Sequence, residues 1–203
     1  SLGKPRNPDE LRQDLQVAFA LLPGRHKLNL HAIYGEFAGR AVPRDEIEPQ
    51  AFANWIAFAK EQALGLDFYA TCFGHPLAAK GLTLSHPDPA VRAFWVRHVA
   101  ACRRITAHFA ALLNQPAVHN LWIPDGTKDA TSLRFRTRER LLESLEEIYA
   151  LPAGPGVIDA VESKLFGIGS EAFVVGSHEF YMGFALKHGL HLSLDMGHFH
   201  PTE

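Results

Sequence analysis

The chain has 203 residues, of which 47% are apolar and 21% charged, with a formal charge of −2. That is the composition of one globular domain with a substantial core. It excludes the basic excess a nucleic-acid partner needs and the polybasic stretch a membrane surface needs. The two cysteines, Cys72 and Cys102, form no C-x-x-C pair, so reduced thiols and a cytoplasmic setting are expected rather than a disulfide framework. No 18-residue apolar run and no signal-peptide pattern occurs, so the protein is expected to be soluble, with no membrane partner.

Helical and strand-like patterns alternate along the chain. Asn7-Pro8-Asp9-Glu10 supplies a cap, a proline for the first helical position and acids for the helix dipole. Leu11, Leu15, Ala18, Phe19 and Leu22 follow at helical spacing up to Pro23-Gly24, and the apolar run Leu28 to Tyr34 reads as a strand. Phe52, Trp55, Ile56 and Ala59 predict a second helix, and residues 64–69 a second strand. Asp88-Pro89 opens the longest helix, striped by Val91, Trp95, Val99, Cys102, Ile105, Phe109 and Leu112, before a strand over 118–123. A helix over Thr137 to Ala150 precedes a strand from Val157 to Lys164. A helix near Ser177 to His188, stopped by Gly189, precedes the last strand, His191 to Asp195.

Strands spaced this far apart suit parallel pairing through helical crossovers, not hairpins. No G-x-G-x-x-G or P-loop follows any strand, which removes the usual reason for a nucleotide-binding open sheet. The expected class is α/β, a (β/α)₈ TIM barrel with about five of its eight units present, forming a single partial domain over residues 1–203. Both ends read as cut: Ser1 is no start methionine, and Glu203 closes a chemically rich stretch.

In such a barrel, chemistry collects at the carboxyl ends of the strands. Those ends offer His31, Tyr34 and Glu36; Asp67 and Phe68; Trp122 and Asp125; Glu162 and Lys164; Asp195 and His198. Glu162 and Lys164 share a strand face with Ala160, and could be a structural ion pair or a metal ligand beside a group that polarises a substrate oxygen. Gly197 lets the chain turn so that Asp195 and His198 act together. A carboxylate and an imidazole suit Mn²⁺, Zn²⁺ or Co²⁺. His31, within an apolar strand, and Trp122 each have an ordinary packing role as the competing explanation, and Cys72 beside Phe73 has no identifiable base partner.

Seven segments then resemble, in order, motifs of the L-rhamnose isomerases. They are Leu28-Asn29-Leu30-His31-Ala32-Ile33-Tyr34; Leu66-Asp67-Phe68 with Cys72-Phe73-Gly74-His75-Pro76-Leu77; and Leu82-Thr83-Leu84-Ser85-His86-Pro87. Next come Trp122-Ile123-Pro124-Asp125-Gly126-Thr127-Lys128-Asp129 and Val161-Glu162-Ser163-Lys164-Leu165-Phe166-Gly167-Ile168-Gly169. Glu179-Phe180-Tyr181-Met182-Gly183 and the stretch from Leu194 to Glu203 complete the series. The resemblance implies a homotetrameric (β/α)₈ enzyme that interconverts L-rhamnose and L-rhamnulose with two divalent metals per complete subunit, usually Mn²⁺, and no partner beyond its sugar. It implies that Glu162 and Asp195 hold a structural metal and that His198 binds a second, catalytic one. Lys164 would lie near the reacting carbonyl, His31 and Trp122 would line the sugar, His31 would assist ring opening, and Phe68 would belong to a hydrophobic wall. The chemistry implied is metal-assisted hydrogen transfer between C1 and C2, by hydride shift or through an enediol. It implies as well a strand ahead of Ser1 and two beyond Glu203 that supply further ligands. The alternatives are a related isomerase or epimerase with another substrate, or a barrel fragment inactive by itself; a repair nuclease on a similar barrel is argued against by the charge.

Overall fold

The computed structural model describes residues 3–129, 132–163 and 172–198. Helix α1 (Pro8–Leu21) starts as its sequence dictates: Asn7 caps it by accepting from the Glu10 amide, and proline takes the first turn. Strand β1 (Lys27–His31) is shorter than expected, because the chain turns at once into a 3₁₀ segment, Ala32–Tyr34. The Ala32 amide donates to Thr71 Oγ1 instead of continuing a ladder. A 3₁₀ turn over Pro49–Phe52 leads into α2 (Ala53–Glu61), followed by β2 (Gly65–Thr71). Asp88 caps the 25-residue α3 (Pro89–Leu113), which ends on Asn114 in the left-handed region, and β3 (Ala117–Trp122) follows.

Beyond it come β4 (Gly126–Thr127), α4 (Arg134–Tyr149), β5 (Val157–Glu162), β6 (Phe173–Val174), α5 (His178–His188) and β7 (His191–Ser193). Ser177 caps α5, and Gly189 at φ 65° ends it, as its sequence predicts. The antiparallel pairing of β4 with β6 has no counterpart in the sequence reading. No helix among the described residues is long and apolar enough to cross a membrane.

The architecture is α/β, with a five-stranded parallel sheet in the order β1-β2-β3-β5-β7. The order follows the chain, with no reversal of the kind that marks a doubly wound open sheet. Alternation divides the strands cleanly. Leu66, Phe68, Ala70, Leu121 and Val161 face the helices and are buried against Trp55, Trp95, Ile105, Phe109, Leu145 and Phe184. Residues of the other parity face a polar groove.

Polar ties fix the helices to this sheet. His98 of α3 donates from Nδ1 to the Arg44 carbonyl at 2.9 Å and accepts the Thr71 amide at Nε2, 3.1 Å away. Burial lowers its pKa to about 4. The ring is therefore neutral in the fold but protonates near 6.5 once unfolded, so the unfolded chain binds the extra proton between those values. Stability contributed by His98 is present above pH 6.5 and is lost as the pH falls toward 4, by about 3 kcal/mol at most. The urea midpoint should drop across that window, and a His98→Gln variant should show a shallower drop. An equally steep fall in the variant would assign the effect to other groups.

Candidate functional site

The groove lies at the carboxyl ends of the strands and has a volume of about 560 Å³. Strand alternation explains its lining. Asn29 and His31 of β1, Tyr69 of β2, Asn120 and Trp122 of β3, Glu162 of β5 and Ser193 of β7 all point to the same side. Register brings them level: His31 pairs with Tyr69, Tyr69 with Asn120, and Trp122 with Glu162, which in turn pairs with Ser193. Leu194, Asp195 and Met196 close the side beyond β7, and Phe73 closes the side beyond β2.

Glu162 is only 4% exposed, so its carboxylate must find partners. Tyr69 donates its phenol to Glu162 Oε2 at 2.6 Å, and Asn120 donates its amide to the same oxygen at 2.5 Å. Burial, then the hydrogen bond to Glu162, raises the Tyr69 pKa far above its ordinary value, with the charge of Asp195 adding to the effect. The phenol stays a donor across the physiological range. The Asn120 side-chain oxygen is buried without a hydrogen-bond partner among the described residues. Asp195 accepts the Gly197 amide at 2.8 Å as the chain enters a 3₁₀ turn, Met196–His198.

His31 is half-buried, stacks on the Tyr69 ring with centroids 4.6 Å apart, and meets the edges of Tyr34 and Phe73. Its Nδ1 lies 3.4 Å from Thr71 Oγ1, and burial lowers its pKa, so the imidazole is neutral at pH 7. Trp122 packs edge to face against Phe73 at 5.7 Å, forming an aromatic wall.

Four of the residues singled out by sequence, His31, Trp122, Glu162 and Asp195, thus line one groove. Lys164 lies outside the described residues, and of His198 only the backbone is described. Phe68 needs correction as a wall of the site. It is fully buried on the opposite face, edge to face with Phe52 at 5.0 Å and Phe109 at 5.6 Å, and the groove residue is its neighbour Tyr69. A Phe68→Leu change should accordingly cost about 1–3 kcal/mol of stability and leave ligand affinity within twofold. A large loss of affinity in a protein of unchanged stability would return Phe68 to the site.

Two other strand-end carboxylates are structural. Asp125 is buried and binds the amides and hydroxyls of Thr83 and Ser85, pinning that loop. Burial raises its pKa against those bonds. Asp67 pairs with Lys27 at 2.7 Å and accepts the Val118 amide. Sequence reasoning missed Tyr69 and Asn120, although Asp67, Tyr69 and Thr71 form the polar set of alternate residues on their strand.

Carboxylates, an imidazole, an amide and an indole gathered at the carboxyl ends of parallel strands define the class: an α/β protein with a polar groove where such folds place their chemistry. The chain belongs to the L-rhamnose isomerase family, whose L-rhamnose isomerase (RhaA) family model matches residues 2–203. It is 58% identical to the L-rhamnose isomerase of Pectobacterium carotovorum over 99% of this chain and 48% of that protein. The L-rhamnose isomerase of Yersinia pseudotuberculosis is 55% identical over the same shares. The chain therefore spans about half the length of these curated relatives. The crystal structure of SacUVDE aligns with 95% of this chain and 59% of that chain at a TM-score of 0.47 and 9% identity, too distant to argue from.

Proposed function

We propose that the intact polypeptide carrying this chain is a divalent-metal-dependent aldose–ketose isomerase that interconverts L-rhamnose and L-rhamnulose. The observation that carries the reading is the groove, where Glu162, Asp195, His31 and Trp122 converge in a chain of this family. The groove's donor set fits a hard cation. Two carboxylates line it, one already oriented by Tyr69 and Asn120, and the amide oxygen of Asn120, which has no partner among the described residues, belongs to the same lining. Among the described residues no group of three His, Cys, Asp or Glu comes together as a cage. In this reading His198 supplies an imidazole to a second metal, and Lys164 sits near the sugar's carbonyl end.

When bound, Mn²⁺, or Zn²⁺ or Co²⁺ in its place, supplies charge that polarises the C1 and C2 oxygens during hydrogen transfer. The chain's own residues do the rest. Glu162 and Asp195 would hold the cation. Trp122 and Phe73 pack against the apolar side of the sugar and exclude water. Neutral His31, with Nδ1 toward Thr71, takes at Nε2 the proton of the anomeric hydroxyl as the sugar ring opens, while the ring oxygen is protonated from water. Lys164 stabilises charge on the carbonyl oxygen.

The reading extends to a complete (β/α)₈ barrel in which this parallel sheet is the larger part of the wall, supported by its sequential strand order. It extends also to two metals per subunit and to a homotetramer in the cytoplasm. The test is ketose formation from a panel of aldoses by the intact polypeptide, before and after chelation and with Mn²⁺ restored. Turnover of L-rhamnose that vanishes with chelator and returns with Mn²⁺ is the expected result. Another aldose clearly outperforming L-rhamnose would move the assignment to a related isomerase, and chelator-resistant turnover would remove the metal.

A further inference from the structure

We propose that Tyr69 is the positioning residue of this groove, fixing the Glu162 carboxylate through its hydroxyl and the His31 imidazole through its ring. The inference rests on the metal-isomerase reading above and assigns a residue to it that acts only through others. Tyr69 lies on β2, while Glu162 lies on β5 with β3 between them. A side chain as long as tyrosine can span that gap, and its hydroxyl reaches Oε2 at 2.6 Å. From the intervening strand Asn120 reaches the same oxygen. Two charge-assisted donors on one oxygen set the carboxylate's rotamer and its plane.

The ring does separate work. His31 and Tyr69 are directly paired across β1 and β2, and their rings stack at an interplanar angle of 23°. The imidazole is thus held between this stack, the Tyr34 and Phe73 edges and the Thr71 hydroxyl. A single phenol therefore ties a carboxylate meant for metal to an imidazole meant for proton exchange. Asn120 could satisfy Glu162 but has no ring to offer His31; a phenylalanine at position 69 would offer the ring alone.

The experiment exploits that division in the intact polypeptide. Mn²⁺ affinity is measured by titration calorimetry or from the free-ion EPR signal, with KM and kcat for L-rhamnose at saturating Mn²⁺ and the thermal midpoint of the metal-free protein. Removing a hydrogen-bonding partner of a metal ligand typically weakens metal binding 10–100-fold. Tyr69→Phe is expected to weaken Mn²⁺ binding about 10–100-fold, to leave KM within twofold at saturating metal, and to have no further effect on Mn²⁺ binding in a Glu162→Gln background. Tyr69→Leu is expected to reproduce the metal defect and in addition to raise KM.

If Tyr69→Phe lowers the thermal midpoint but leaves Mn²⁺ affinity unchanged, while Glu162→Gln weakens it by more than about 100-fold, the hydroxyl is structural and the positioning role is overturned with the metal reading intact. If Glu162→Gln itself leaves Mn²⁺ affinity unchanged, the metal reading fails and the positioning role falls with it. A Tyr69→Leu variant whose KM matches that of Tyr69→Phe overturns the part assigned to the ring.

Discussion

Under the proposed function, Glu162→Gln in the intact polypeptide is expected to lower Mn²⁺ affinity and L-rhamnose turnover by more than about 100-fold, beyond the range seen when only a ligand's hydrogen-bonding partner is removed. The substitution keeps the shape of the side chain and removes its charge. It also disturbs the pair of donors converging on Oε2, since Tyr69 and Asn120 both present hydrogens to one oxygen. An amide oxygen can still accept from one or both, but its NH₂ group has to replace an acceptor with a donor in a site that is almost wholly buried. The expected loss of stability from this is modest, about 1–3 kcal/mol. Asp195→Asn, at an exposed position, should weaken metal uptake with less effect on stability. Metal content by elemental analysis together with urea melts separates the two effects. Unchanged metal content in both variants would defeat the ligand assignment.

Much of this was legible in the sequence because it is local. Asn7-Pro8, Asp88-Pro89, Ser177 and Gly189 each mark a helix boundary through a backbone group that one nearby side chain or one left-handed residue satisfies. The strand ends were also legible, and four of the site residues come from them. The resemblance puts Phe68 at the site, and the pattern of β2 does not separate it from Tyr69, for a physical reason. A strand in a parallel sheet covered by helices is buried along most of its length, so Leu66-Asp67-Phe68-Tyr69 offers apolar or aromatic residues on both faces. Phe68 and Tyr69 then look alike until register with His31 and Asn120 settles which one reaches the groove. Asp125 stands among the strand-end groups, and nothing local to it shows that it is structural. Its partners, Thr83 and Ser85, come from a loop about 40 residues earlier, and no local pattern announces that meeting. The same holds for β4 and β6, two residues each, which pair across the whole of α4.

The second large effect is expected on the helix side of the sheet, at Arg103. Its guanidinium makes a two-point contact with Asp159, at 3.1 and 2.7 Å, and donates as well to the carbonyls of Ile148 and Leu151 at the end of α4. It also lies over the Tyr149 ring at 5.2 Å. Both charged side chains are less than 10% exposed, and His119 Nδ1 lies 3.3 Å from the same carboxylate. Burial works to raise the Asp159 pKa, but the contacts with His119 and Arg103 outweigh it and hold the group below its ordinary value. Arg103→Met leaves that carboxylate buried with only an imidazole beside it, and leaves two helix-end carbonyls without their donor. The expected cost is about 3–5 kcal/mol. Because an intact buried pair gains little over a well-packed apolar one, Arg103→Met combined with Asp159→Leu should recover most of the loss. Equilibrium urea unfolding of the two variants is the measurement. A single substitution costing under about 1 kcal/mol, or a double variant less stable than the single, would show that this pair does not anchor α3 to β5. Asp159 stands three residues before Glu162 with the opposite facing, so the strand that presents a carboxylate to the groove is held from behind by another.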